Sequence, residues 1–310
     1  MQGIVVKSTG SWYLVRNGES AEIITCRIRG KFRLSDVRST NPVAVGDHVQ
    51  YRIETDTNGT MIGVITAIKK RDNYIIRKSN KLSSHFQIIA SNMDLVLPVF
   101  TLVQPYTSLG FLDRILITAE AYHIPVLILF NKIDLLSETE HALLEEIKHI
   151  YQNIGYDTLE ISAKDNVGMT NLNMFISNKT SLICGHSGTG KSTIINNLNP
   201  ELNLKTGNIS DKFLKGKHTT TFAEMYFIDD NTHIIDTPGI RDFGVIDIDK
   251  SELKGYFPEF KHLAEKCRFN NCLHINEPDC AVIEQVKQNN ISLERYNSYL
   301  SIMNDENIFE

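Results

Sequence analysis

The sequence predicts a multi-domain chain: an all-β barrel at the N-terminus, a mostly parallel α/β unit in the middle and a small Cys/His-bearing helical module at the C-terminus. Three observations carry that prediction. Residues 1–70 are short alternating apolar segments divided by turn residues. From about residue 92 short apolar runs alternate with helical stretches. Three of the five cysteines, Cys267, Cys272 and Cys280, fall within 14 residues. A length of 310 residues suits two or three compact units at about 100 to 200 residues each. With 42% hydrophobic and 22% charged residues, 18 Gly and 8 Pro, the composition excludes the disordered, collagen-like and coiled-coil classes. No apolar run approaches the roughly 20 residues that span a bilayer, and Met1-Gln2-Gly3-Ile4 opens without the basic flank and apolar stretch of a targeting signal. The expectation is a soluble, cytoplasmic protein with no membrane partner.

Within residues 1–70, segments such as Gly3–Val6, Trp12–Val15, Ala21–Ile28 and Val49–Ile53 are punctuated by Asn17-Gly18, Val45-Gly46-Asp47 and Asn58-Gly59. Five or so short strands imply a small barrel. An OB-type barrel commonly binds oligonucleotides, and Arg27, Arg29, Lys31, Arg33 and Arg38 would then sit on or beside its loops; an SH3-like barrel gives the same pattern. Charge agrees with a polyanion-binding end: residues 1–81 hold 14 Lys/Arg against 7 Asp/Glu, the remainder 18 against 30. A solvated basic face without a partner is the alternative. Residues 71–91, with Arg71, Arg77, Lys78 and Lys81, read as a linker.

Residues 92–248 change period. Asp94–Phe100, Val126–Phe130, Thr158–Ile161, Ser181–Cys184 and His233–Asp236 are apolar runs, some separated by helical stretches at Leu109–His123, Glu138–Ile154 and Lys191–Leu198. Strand and helix in alternation imply a parallel sheet covered on both faces. Residues 249–310 carry cysteine-bearing loops and short helices, and no internal repeat or low-complexity tract interrupts the chain.

Gly185-His186-Ser187-Gly188-Thr189-Gly190-Lys191-Ser192 follows one of those strands and, through Thr193, opens a helix, which satisfies the GxxxxGKS phosphate-loop pattern in its required strand-loop-helix setting. The glycines let backbone N–H groups face phosphates, Lys191 reaches β and γ oxygens, and the Ser192 hydroxyl can ligate Mg2+. His186 and Ser187 line the loop. Alone, the loop implies a nucleoside triphosphate without choosing the base.

Asn131-Lys132-Ile133-Asp134 ends the strand Val126–Phe130, at the sheet edge where open α/β folds bind ligands. Two acceptor oxygens on Asp134 match the N1–H and N2–H2 of guanine; adenine offers no such donor pair. Lys132 can lay its stem along the base, and Asn131 can tie this loop to the phosphate loop. A capping Asp134 on a surface loop is the bland alternative. Ser162-Ala163-Lys164, Asp236-Thr237-Pro238-Gly239 and His218-Thr219-Thr220-Thr221 complete a set that resembles the five motifs of Ras-like GTPases. That resemblance implies Asp236 holding Mg2+ through water, the Gly239 backbone sensing the γ-phosphate, Ala163 supporting the base, and one of Thr219, Thr220 and Thr221 completing the metal shell. The order differs: the guanine motifs precede the phosphate loop, so the unit is circularly permuted, which close termini tolerate. Asp236 then leads directly toward the cysteine segment.

Cys267, Cys272, His274 and Cys280 form the Cys3His set of a closed structural Zn2+ site, although the spacing is not that of the common CxxC finger. Buried hydrophobes that happen to be cysteines are the alternative. An odd, clustered cysteine count reads as a reducing compartment, not a disulfide frame.

Barrel, motif order, Gly216-Lys217-His218-Thr219-Thr220-Thr221 and the Cys/His cluster together resemble one bacterial family over nearly all of the chain: the circularly permuted, ribosome-associated GTPases of small-subunit biogenesis, RsgA/YjeQ-like. The resemblance implies an OB domain, a GTPase domain and a zinc domain. It further implies GTP/GDP, Mg2+ and one structural Zn2+ as cofactors, and the small (30S) ribosomal subunit with its 16S rRNA as partner of a monomeric chain. Slow GTP hydrolysis, stimulated by the subunit in its late maturation, is the implied activity. Ile240 stands where Ras-like enzymes carry a water-orienting glutamine, so His218 is the candidate to orient the water; a loop-capping or RNA-contacting His218 is the other reading. A P-loop phosphotransferase acting on a small molecule, and an RNA-binding protein with a vestigial loop, are the competing functions.

Overall fold

The computed structural model describes residues 1–28, 42–55, 59–78, 86–205, 223–237 and 249–304. Five strands, β1 (Gln2–Ser8), β2 (Tyr13–Asn17), β3 (Ile23–Ile28), β4 (His48–Thr55) and β5 (Met61–Ile68), close into a barrel. The pairing order β1-β2-β3-β5-β4 returns to β1, with β3 and β5 parallel and the other pairs antiparallel. This is the closed five-stranded arrangement expected of the OB type. Alternation places Val5, Tyr13, Val15, Cys26, Val49, Tyr51 and Ile65 inside, all at 2% exposure or less.

The stretch read as a linker carries two paired strands, β6 (Tyr74–Lys78) and β7 (Phe86–Ser91). Its apolar positions Ile75, Ile88 and Ala90 are buried. The pair is fastened to the barrel through Asp47, which is fully buried. Asp47 accepts from Arg71 Nε and Nη2 at 2.6 and 2.7 Å, from Ser91 Oγ at 2.7 Å and from the Ala44 amide at 2.8 Å. A bidentate guanidinium with two further donors satisfies the carboxylate that burial would otherwise destabilise.

The central unit is a sheet of β8 (Leu95–Phe100), β9 (Leu127–Asn131), β10 (Asp157–Ile161), β11 (Thr180–Cys184), β12 (Glu224–Phe227) and β13 (His233–Asp236), in the order β10-β9-β8-β11-β13-β12. All neighbours are parallel except β12–β13. Because β8, β9 and β10 precede β11 in the chain, the half of the sheet that carries the NKxD sequence is made before the half that carries the GxxxxGKS sequence: the fold is circularly permuted. On one face α1 (Leu109–Ala121) packs Phe111, Ile115 and Ala119 over Val96, Leu182 and Ile235. On the other, α3 (Met169–Ile176) and α4 (Lys191–Leu198) pack Leu172, Ile176, Ile194 and Ile195 over Leu97, Ile183 and Ile234. Helix α2 (Glu138–Ile154) begins with a Ser137/Glu140 capping box and ends at Gly155, whose φ of 109° is left-handed. The outer edge of β12 pairs with β1 of the barrel at Glu224 and Lys7, so one eleven-stranded sheet runs through both units.

Four short helices follow, Lys250–Leu253, Pro258–Ala264, Ala281–Lys287 and Leu293–Met303. They share a core of Phe257, Phe260, Ile291 and Tyr299 that extends to Ile117 of α1. Arg295, 1% exposed, bonds Glu259 of their own group at 2.8 Å and joins them to the sheet unit through Asp113 of α1 at 2.6 Å, while Tyr151 Oη donates to Asp113 at 2.8 Å.

Candidate nucleotide site and Cys/His cluster

The carboxyl ends of β9, β10, β11 and β13 lie at one edge of the sheet, and from them come the described residues that the nucleotide motifs nominate. Gly185 and Gly190 flank the GxxxxGKS loop at two positions that admit only glycine. A Cβ on Gly185 would lie 2.7 Å from the Val99 carbonyl oxygen, one on Gly190 would collide with the Asn131 amide nitrogen, and both residues have positive φ, 149° and 102°. Gly188 also has positive φ, 89°. Thr189 Oγ1 donates to the His186 carbonyl at 2.9 Å, closing the loop. Lys191, first residue of α4, folds its ammonium back onto the carbonyls of Gly185 and His186 at 2.7 and 2.9 Å, with Ser192 and Thr193 following in the first turn. Its cation sits where the loop's own carbonyls hold it at the mouth of the cradle.

Asn131, 5% exposed, reaches both halves of the cleft. Its Nδ2 donates to the Thr189 carbonyl at 2.7 Å, and its Oδ1 accepts from the Ala163 amide at 3.1 Å. One carboxamide thus joins the loop of Thr189 to the loop of Ala163. Lys132 has φ of 67°, turning the chain so that its ammonium donates to the Gln104 carbonyl; burial lowers its pKa, opposed by the charge of Asp134. Ile133 and Asp134 open a short 3-10 turn. Ser162 Oγ donates to Asp134 Oδ1 at 2.7 Å, and Lys164 Nζ stands 4.0 Å from Oδ2. The carboxylate is therefore anchored through one oxygen, with the other on the side of an exposed lysine.

Asp236, at the end of β13, is 7% exposed. Burial pushes its carboxyl up to about 6, offset by the charge of Lys191, and Oδ1 lacks a hydrogen-bond partner among the described residues. A buried, unsatisfied carboxylate oxygen beside a phosphate cradle suits a hydrated divalent cation. His218, Thr219, Thr220, Thr221, Gly239 and Ile240 lie outside the described residues.

Sequence reasoning missed four partners of this cleft. Phe111 of α1 stacks on the His186 ring, centroids 3.9 Å apart. Gln104 receives Lys132, Asn197 of α4 donates to the Ala163 carbonyl, and Glu224 is the cross-strand partner of Asp236. Contacts between residues up to 75 positions apart leave no local motif.

The sequence profile of the RsgA GTPase matches residues 68–246, and that of the RsgA N-terminal domain matches residues 2–61. The chain belongs to the RsgA GTPase family. The RsgA profile begins before β6, so it includes the strand pair that charge had disguised as a linker. Small ribosomal subunit biogenesis GTPase RsgA of Flavobacterium psychrophilum is 48% identical, covering 98% of this chain and 92% of the relative. The RsgA of Christiangramia forsetii is 49% identical over 99% and 96%. Among solved structures, YjeQ from Thermotoga maritima is 32% identical with a TM-score of 0.76, over 98% and 97% of the two chains. YloQ, described as a circularly permuted GTPase, is 29% identical with a TM-score of 0.71, over 98% and 94%.

The RsgA-family chain also gathers Cys267, Cys272, His274 and Cys280, their ligand atoms all within 4.8 Å of one another. His274 Nδ1 faces Cys267 Sγ at 3.6 Å and Cys280 Sγ at 3.3 Å, separations that suit one tetrahedral ion with bonds of about 2.0–2.3 Å. The donor chemistry is that of a closed structural zinc site. Glu277 accepts from the amides of Leu273, Ile275 and Asn276 at 2.7, 2.8 and 3.1 Å, and Tyr296 Oη donates to the His274 carbonyl at 2.8 Å. These contacts orient the ligands from outside.

Proposed function

We propose that the chain binds GTP across the carboxyl edge of β8, β9, β11 and β13 and hydrolyses it to GDP and phosphate, slowly alone and faster on the small (30S) ribosomal subunit, in late maturation of that subunit. The relatives' name supplies the partner; the barrel's basic charge supplies a surface for its 16S rRNA. The observation that carries the reading is Asn131, one amide bonded to both loops that a guanine nucleotide must bridge. The division of labour follows the domains: 1–70 for RNA, 92–248 for nucleotide, 249–310 for zinc, with the chain acting as a cytoplasmic monomer.

Asp134 accepts from guanine N1–H and N2–H2, Lys132 covers the base with its stem, and Ala163 contributes its backbone beside the base, backed by Ser162 and Lys164. The backbone of residues 185–190 cradles the phosphates, and Lys191 exchanges two carbonyls for β and γ oxygens. Ser192, Asp236 and one of Thr219, Thr220 and Thr221 would hold Mg2+, which when bound neutralises charge on the β and γ oxygens. Gly239 reads the γ-phosphate through its N–H. His218 orients the attacking water, since Ile240 has no polar atom for the task. A small-molecule phosphotransferase is not favoured, because Asp134 is prepared for guanine and the family is a GTPase family.

The deciding measurement is GTP turnover with and without purified small subunits. Stimulation by tenfold or more is expected; equal turnover at saturating subunits overturns the partner assignment. Loss of that stimulation in His218→Ala, with subunit binding intact, is expected if His218 orients the water.

A further inference from the structure

Glu224 belongs to no nucleotide motif, yet the fold sets it beside the cation edge. It is the direct antiparallel partner of Asp236. Directly opposed residues of such a pair project from the same face of a sheet. That face is the one covered by α4: Tyr226 and Ile234, two positions from Glu224 and Asp236, pack with Ile194 and Ile195, whereas Met225 and Ile235 pack on the opposite face. Tyr226 Oη donates to Glu224 Oε2 at 3.4 Å. Two carboxylates therefore share one side of the sheet below the phosphate loop, and among the described residues of the site's own motifs Lys191 is the cation whose charge acts on Asp236.

The second cation comes from the barrel. Lys7 is the partner of Glu224 in the β1–β12 pairing, and its Nζ lies 2.9 Å from Glu224 Oε2, with the two side chains 33% and 29% exposed. The charges neighbour one another pairwise across the units: Lys191 and Asp236 of the nucleotide unit, Asp236 and Glu224 across the strand pair, and Glu224 and Lys7 of the barrel. Partial exposure screens the pair without abolishing its field.

We propose that Glu224 is a positioning carboxylate of the Mg2+ edge, acting from beyond Asp236, and that Lys7 of the barrel sets how much of its negative charge the cation feels. The inference rests on the reading of Asp236 as the Mg2+ residue. Neither Lys7 nor Glu224 touches nucleotide; their effect is on cation affinity. A barrel displaced from β12 would uncover the charge of Glu224, so the junction also gives the barrel a route to nucleotide retention.

The test measures dissociation of N-methylanthraniloyl-GDP from the full chain as free Mg2+ is varied, and reads the Mg2+ concentration at half-maximal retention. Lys7→Met keeps the aliphatic stem and removes the charge; it is expected to lower that concentration about two- to tenfold. Glu224→Gln leaves Lys7 unopposed and is expected to raise it by a similar factor, while the double variant returns to within about twofold of wild type. Single variants that both stay at the wild-type midpoint, or shift in the same direction, overturn the proposal. Asp236→Asn separates the two readings. If it raises the midpoint while Lys7→Met and Glu224→Gln do nothing, Asp236 keeps its role and the Glu224 inference fails. If Asp236→Asn also leaves the midpoint unchanged, the metal reading fails and takes this inference with it. Should Lys7→Met not fold, Glu224→Gln alone decides, because the amide preserves the volume and the acceptor toward Tyr226.

Discussion

Asn131 and Asp134 do different work three residues apart. On the proposed reading Asp134 discriminates: replacing it with Asn keeps one acceptor but turns the other atom into a donor, which opposes guanine's donors and matches the C2 carbonyl of xanthine. Asp134→Asn is expected to weaken GTP binding at least tenfold and improve XTP binding, measured by competition against a fluorescent guanine nucleotide. Asp236 has a cost that shows without nucleotide. Its carboxyl is pushed up to about 6 by burial, so the folded chain favours the protonated form. The stabilising contribution is complete below the unfolded value near 4 and disappears as pH rises through about 6. Asp236→Asn should therefore raise the Tm of the nucleotide-free protein at pH 7.5, by a difference worth about 2–3 kcal/mol at most, and the gain should vanish near pH 4. Equal Tm values at both pH values would contradict the burial argument. These residues were legible in sequence because the chemistry of guanine and phosphate demands particular side chains at fixed spacings. The Phe111–His186 stack was not, since aromatic contact across the sheet makes no demand on local sequence.

At the scale of elements, the helix Leu293–Met303 is the tie between the zinc module and the nucleotide unit. Its Arg295 is nearly fully buried between Asp113 of α1 and Glu259 of the helix Pro258–Ala264. Arg295→Met leaves two carboxylates inside without their cation, and urea unfolding should register a loss of about 3–5 kcal/mol; adding Asp113→Asn should recover part of it. The Cys/His loop draws on the same helix through Tyr296. Chelating the metal, or Cys272→Ser, should open residues 249–304 to protease while leaving guanine-nucleotide binding to the other elements, a separation that limited proteolysis with mass spectrometry can read. The sequence marked short helices in this module, including the one at Leu293–Met303, and the ligands by residue type, but not the helix Pro258–Ala264 that supplies Glu259. It passed over β6 and β7 because Arg71, Arg77, Lys78 and Lys81 mark a segment whose apolar runs, at 74–76 and 88–90, are short.

Across the molecule, the β1–β12 junction joins barrel and nucleotide unit, and the buried Asp47–Arg71 pair fastens the barrel to the β6–β7 strand pair. The barrel was legible from turn residues and alternation, but its docking was not, because a strand's outer edge carries no mark of the strand that will cover it. Removing residues 1–70 should strip β12 of its neighbour and produce a concentration-dependent aggregate in light scattering, whereas Asp47→Ala should lower stability without freeing the edge. The permuted strand order has a consequence for birth on the ribosome. β8 and β9 emerge early, yet the neighbour that closes the other side of β8 is β11, some eighty residues later. At about 5–20 residues per second the nascent chain carries an open seam down the middle of its future sheet for on the order of ten seconds, and the base-reading half waits that long for the half that grips phosphate.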